Sequence, residues 1–128
     1  MNKRIAVIIM LFVLMIGFSV SELIIHRHVY GVISGNLSAI SKLLDDEDTD
    51  KEALTKMDRT LSYWDSRRRL MASFSNSDVI RFIDENLIRL RGLIAEGKRS
   101  EARIQLTVTQ NYIDQLIDEL DPLPGNII

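Results

Sequence analysis

Few residues of this chain could do chemistry, and their spacing assembles no catalytic or metal centre. The two histidines, His26 and His28, are two residues apart on a predicted helix and so point to different sides, whereas metal-binding pairs on a helix are four apart. The sequence has no cysteine, so it offers no thiol nucleophile. Adjacent acids such as Asp118 and Glu119 diverge on a helix and are expected to be solvated. We therefore predict a protein that is not an enzyme and holds no cofactor, with the histidines forming a polar collar.

An acidic turn is the one segment that resembles a metal loop. Asp46, Asp48 and Asp50 repeat the first ligand positions of an EF-hand. Lys51 stands where that loop needs glycine, and Met57 stands where it needs a bidentate glutamate. We therefore interpret the acids as a solvated turn that favours the start of the helix after it.

The apolar run from Ile5 to Ile25 indicates a membrane anchor. It follows Lys3 and Arg4 and contains one charged residue, Glu22. A helix of about twenty residues crosses a hydrocarbon core, so the run is just long enough. A cleaved secretory signal peptide is the alternative, because Ser19-Val20-Ser21 has the small residues that signal peptidase reads. We favour the uncleaved anchor, because the helical apolar spacing continues beyond these serines.

The basic flank predicts that the amino terminus is cytoplasmic, because short cytoplasmic segments are enriched in lysine and arginine. Residues 1–25 would form the anchor, and residues 26–128 would form one extracytoplasmic helical domain. The net charge of −2 gives no reason to expect a nucleic acid as partner. The expected partners are the lipid bilayer and a protein of the membrane or envelope, and the sequence leaves homo-oligomerisation open.

Apolar residues recur every three or four positions in four segments, which predicts an all-α fold. The first stripe continues from the anchor to Leu44, and the later ones are divided by the serine-rich segment around Phe74 and by Gly97. Thr49 and Glu52 fit a capping box at the start of the second helix. Because the connections are short, we expect an antiparallel up-down four-helix bundle. The predicted core residues are Leu61, Trp64, Ile83, Leu87, Leu106 and Ile113.

A weak internal repeat fits two stacked helical hairpins, although shared amphipathic spacing could produce it too. The first copy consists of Leu43, Leu44, Glu52, Ala53, Met57, Thr60 and Tyr63, and the second of Leu93, Ile94, Glu101, Ala102, Leu106, Thr109 and Tyr112.

Basic residues cluster where this geometry returns helix ends to the membrane. Arg27 follows the anchor, and Arg67, Arg68 and Arg69 lie towards the end of the second helix, so we interpret these four as candidates for contact with lipid headgroups. The alternative is that the triplet is solvated, with one arginine laying its methylenes along the core edge. The Phe74 loop and the terminal Ile127 and Ile128 are expected near the same level.

Several features extend over nearly the whole chain: the basic start and apolar anchor, the acidic turn before Glu52-Ala53, the aromatic Trp64, Ser100-Glu101-Ala102, and the final Leu123-Pro124-Gly125-Asn126-Ile127-Ile128. In these features the chain resembles a family of small single-pass bacterial membrane proteins, domain of unknown function 4363. The arginine triplet departs from the more ordinary amphipathic turn of that pattern. The resemblance implies an anchored helical domain and lends no catalytic residue.

The predicted function is a membrane-anchored, non-enzymatic helical module that binds or modulates another membrane or envelope component. An extracytoplasmic domain that senses small molecules is the alternative, and a secreted helical protein would result if the signal were cleaved. A sensor normally needs a second span or a cytoplasmic output, and the sequence after Ile25 has no second apolar run.

Overall fold

The computed structural model describes residues 2–73 and 76–120 of the 128-residue chain. Four α-helices and one short 3-10 turn, and no strand, account for the secondary structure of these ranges, which confirms the all-α prediction. The elements are α1 (Lys3–Leu43), the 3-10 turn Glu47–Thr49, α2 (Asp50–Ala72), α3 (Ser77–Ala95) and α4 (Arg99–Leu120). The predicted positions of Phe74, Ile127 and Ile128 lie outside the described residues.

The four helices pack as an up-down bundle. Helices α1 and α3 each contact both α2 and α4, so the helices form a ring of four antiparallel neighbours. The hairpin α1–α2 therefore lies against the hairpin α3–α4, as expected. We call the end of the bundle from which the first part of α1 projects the base, and the end that carries Glu47–Thr49 the far end.

Helical apolar spacing builds the core, because residues three and four apart share a face. Five of the six predicted core residues are buried: Trp64, Ile83, Leu87, Leu106 and Ile113. The prediction for Leu61 is only partly right, because this side chain is half-buried at the core edge. Its neighbour Thr60 takes the inner position, where its hydroxyl donates to the carbonyl of Lys56 at 2.8 Å.

The repeated residues occupy equivalent environments in the two hairpins. Thr60 in α2 and Thr109 in α4 are both fully buried, and each hydroxyl donates to a carbonyl four residues earlier. The other buried pairs of the repeat are Ala53 with Ala102, Met57 with Leu106, and Leu44 with Ile94. The sequence repeat thus corresponds to two hairpins that contribute matching layers to one core.

The capping box predicted for α2 is wrong. The hydroxyl of Thr49 donates to the carbonyls of Leu43 and Asp46, so it points back into the turn instead of capping the helix. The cause is the 3-10 turn before α2, which gives Thr49 a backbone (φ −106°, ψ 14°) outside the extended region that an N-cap normally adopts.

Ion pairs bind the acidic turn to the start of α4, so the interpretation of the turn as solvated fits the exposed Asp46 and Asp48 but not Asp50. Arg99 contacts Asp50 at 2.8 Å and Glu47 at 3.5 Å, and Arg103 pairs with Asp45. At partly exposed positions such pairs contribute up to about 1 kcal/mol each. They fix the far end of the first hairpin to the second.

Gly97 ends α3 as the sequence predicted. Its φ of 74° is left-handed, which glycine adopts without a Cβ penalty. The amide of Gly97 donates to the carbonyl of Ile94 at 3.1 Å, and that of Lys98 donates to the carbonyl of Leu93 at 3.0 Å. This Schellman arrangement satisfies the last carbonyls of α3 and turns the chain into α4.

Candidate functional site at the base of the bundle

The first half of α1 projects from the bundle. Every described side chain before Glu22 is exposed, including Ile8 at 63% and Leu14 at 61%. Within the described chain, α1 is the one helix long and apolar enough to cross a membrane. Exposed apolar surfaces of this extent mark sites of contact with a membrane or with another protein.

No stalk separates this apolar segment from the bundle. Residues 5–21 project beyond the base by about 25 Å at a rise of about 1.5 Å per residue. A hydrocarbon core about 30 Å thick around this segment would extend one further turn along the helix, to the base of the bundle. Glu22, Leu23 and Ile25 in that turn already pack partly against the bundle. If lipid surrounds the segment, the base of the bundle lies in the headgroup layer.

An opening with a volume of about 300 Å³ lies at the base among α1, α3 and α4, and most of its lining is apolar. Its polar groups come from Ser19, Glu22, His26, Tyr30, Asn76 and Glu119. The Nδ1–H of His26 donates to the carbonyl of Glu22 at 2.8 Å, and its ring centroid lies 6.0 Å from that of Tyr30.

His26 corrects the prediction of a polar collar. Its side chain is only 5% exposed, because position 26 falls on the inward stripe that continues through Val29, Tyr30 and Ile33. His28 is exposed, as a collar residue would be.

Of the four predicted headgroup residues, Arg27 belongs to α1 and Arg67 lies on α2 next to α1. The guanidinium of Arg27 donates to the carbonyl of Leu120 at 3.3 Å, so it joins α1 to the last turn of α4. The guanidinium of Arg67 lies 4.6 Å from the ring centroid of Tyr63 and donates to the Ser66 hydroxyl. Arg67 also lines an apolar groove between α1 and α2, together with Ile24, Ile25, His28 and Leu70.

The other two line a groove between α2 and α3. Arg68 pairs with Asp84 of α3 at 3.1 Å and with Asp65 at 3.8 Å. Arg69, the next residue of α2, is exposed. The structure therefore brings all four predicted arginines to the base but directs the triplet along different sides of α2, because successive residues on a helix are rotated by about 100°.

Sequence reasoning missed Arg81, the third arginine of the groove between α2 and α3. Arg81 lies in the first turns of α3, and the antiparallel hairpin brings it close to the last turn of α2. A basic residue soon after the predicted break near Phe74 was the available signal.

No protein-family model, no curated protein and no solved structure matches this chain. Among the described residues, no three His, Asp or Glu side chains lie close enough to hold a metal ion. The base combines an exposed apolar helix with a mostly apolar opening and a groove lined by arginines.

Proposed function

We propose that this chain is a single-pass membrane protein whose helical bundle rests on the bilayer and binds or modulates another membrane or envelope protein without catalysing a reaction. Residues 1–25 are the anchor, and residues 26–128 are the extracytoplasmic domain. The proposal includes membership of the family of domain of unknown function 4363, which implies this architecture.

The observation that carries the proposal is the dual role of α1. One uninterrupted helix of 41 residues exposes its apolar first half and buries its second half in the bundle, beginning at Glu22. Helical continuity with a folded core is not required of a signal peptide, because a signal peptide is cut away. A permanent anchor that continues into the core instead positions that core at the lipid surface.

An exposed apolar face of the second hairpin supports a protein partner. Ile104 and Val108 are 67% and 49% exposed and lie one turn apart on α4. The next position of that row is Tyr112, whose ring centroid lies 4.2 Å from that of Phe82 in α3. Aromatic side chains such as Tyr112 and Phe82 are enriched in protein interfaces.

The opening among α1, α3 and α4, which is mostly apolar with a few polar groups, favours small-molecule sensing as a second candidate. Its volume of about 300 Å³ and its lining by His26, Tyr30 and Glu119 meet the lower size limit of ligand sites. A ligand for this opening would raise the melting temperature of the full chain.

Single-cysteine variants test the anchor and its orientation, because the natural chain has no cysteine. In intact cells, a membrane-impermeant maleimide is expected to label Ser100→Cys at the far end and to label Asn2→Cys only after lysis. Mass spectrometry should find the amino terminus intact. Labelling of Asn2→Cys alone in intact cells would reverse the orientation, and a mature chain that begins at Glu22 would establish secretion instead.

Charged substitutions test the partner face. Replacing both Ile104 and Val108 by aspartate is expected to reduce recovery of a chemically cross-linked membrane protein by about tenfold or more, because desolvating a carboxylate at an interface is costly. The control Thr55→Asp with Ser62→Asp adds two carboxylates at exposed positions of α2, in the other hairpin, and should leave the cross-link intact. Equal loss in the control would place the partner elsewhere.

A further inference from the structure

The groove between α2 and α3 at the base concentrates positive charge. It has a volume of about 370 Å³, and its polar lining consists of Arg68, Arg69, Ser77, Arg81 and Asp84, which we call the arginine groove. Ala72 and Ile80 provide apolar surface within it. Three guanidinium groups and one carboxylate leave the groove with a net positive charge.

Ion pairing separates the three arginines into two kinds. Arg68 is bound by Asp84 at 3.1 Å and by Asp65 at 3.8 Å, so its charge is largely compensated. Arg69 and Arg81 are exposed and form no ion pair with any residue in the ranges 2–73 and 76–120. These two guanidinium groups are therefore available to an anion.

The position of the arginine groove in the fold indicates which kind of anion it would meet. It opens where α2 ends and α3 begins, which is the base, and the positive end of the α3 dipole points there. The side chain of Asn76 already accepts the amide of Asp78 at 2.9 Å, so the helix terminus adds only its dipole. Given that α1 spans the bilayer, on which this step rests, headgroup phosphates lie at this level.

We propose that Arg69 and Arg81 bind the phosphate of an anionic lipid headgroup in the arginine groove. Guanidinium groups match phosphate oxygens by paired hydrogen bonds, and arginine is favoured over lysine where that geometry is used. The apolar surface of Ala72 and Ile80 lies against the glycerol backbone of the same lipid. Lipid binding in the arginine groove fixes the rotation of the bundle about the axis of its anchor.

The test uses the full chain in phosphatidylcholine nanodiscs, with phosphatidylglycerol added in increasing fraction and the melting temperature as readout. The melting temperature of the natural chain is expected to rise with phosphatidylglycerol. The variant Arg69→Gln with Arg81→Gln should need roughly tenfold more of this lipid for half of the effect, because each arginine contributes of the order of a factor of five near an anionic surface before screening.

A matched control replaces arginines of the same two helices outside the groove. Arg59→Gln with Arg89→Gln removes two exposed charges, and it should respond to phosphatidylglycerol like the natural chain. The variant Arg69→Lys with Arg81→Lys should recover part of the response, since it keeps the charge without the planar fork. Inorganic phosphate at an equal phosphate concentration should leave the melting temperature unchanged.

Three outcomes would overturn the proposal. They are an equal lipid response in the Arg69/Arg81 and Arg59/Arg89 glutamine variants, the absence of any response in the natural chain, and an equal effect of inorganic phosphate. Failure of the proposed anchoring gives a different result, because alkaline carbonate would then extract every variant from vesicles whatever its arginines.

Discussion

Replacing Trp64 by alanine is expected to lower the free energy of unfolding by about 3–5 kcal/mol, which is a large part of the stability of a small domain. The side chain is fully buried within the core of the bundle. Its Nε1–H has no hydrogen-bond partner among the described residues, so the loss arises from apolar burial and from the cavity left behind. Urea unfolding followed by circular dichroism in detergent measures the effect, since the variant has no tryptophan fluorescence.

Two comparisons make this expectation specific to the core. Trp64→Phe keeps most of the aromatic volume and removes the unpaired N–H, so it should cost less than about half as much as alanine. Ile104→Ala removes a side chain that is 67% exposed, and a change within about 0.5 kcal/mol is expected. A Trp64→Ala protein as stable as the Ile104→Ala protein would show that the core is packed differently.

Placing arginine at both Leu11 and Met15 is expected to release the protein from the membrane. The two positions lie one turn apart in the exposed apolar segment, and two arginines at the centre of a span oppose insertion by about 5–7 kcal/mol. The bundle should still fold, because no side chain described before Glu22 is buried in it. The measurement is the fraction that resists alkaline carbonate, together with the helical circular dichroism of the released protein.

The matched control places the same two charges on the bundle surface. Ile88 and Ile104 are 56% and 67% exposed, and their replacement by arginine should leave the carbonate-resistant fraction unchanged. Retention of the Leu11/Met15 variant in the membrane fraction would contradict the anchor and the position of the base in the headgroup layer.

Local patterns made most of the fold predictable. Residues such as Ile83 and Leu87 belong to a stripe set by helical spacing, and Gly97 ends α3 by its own backbone freedom. The errors arose at residues whose conformation depends on contacts with residues distant in the sequence. The 3-10 turn that redirects Thr49 is held to α4 by Arg99, and no local pattern indicates that ion pair.

The candidate site was predictable as a region but not as a set of contacts. The triplet ending at Arg69 is visible as a basic cluster, and the antiparallel order brings it to the base. Which arginine remains uncompensated depends on Asp84 and Arg81, which α3 contributes from across the groove. The burial of His26 likewise depends on which side of α1 faces the bundle. The sequence of the anchor does not indicate that side, because the anchor is nonpolar all round.

If α1 spans the bilayer, its continuity into the bundle makes the bundle a lever arm. The part of α1 within the bundle is about 30 Å long, and spans commonly lean by about 20° from the bilayer normal, so a change of that size would shift the far end sideways by about 10 Å. Since the helix has no proline between Lys3 and Leu43, little of this motion is absorbed on the way. A change in bilayer thickness that alters the tilt of α1 would therefore displace the acidic turn relative to the membrane.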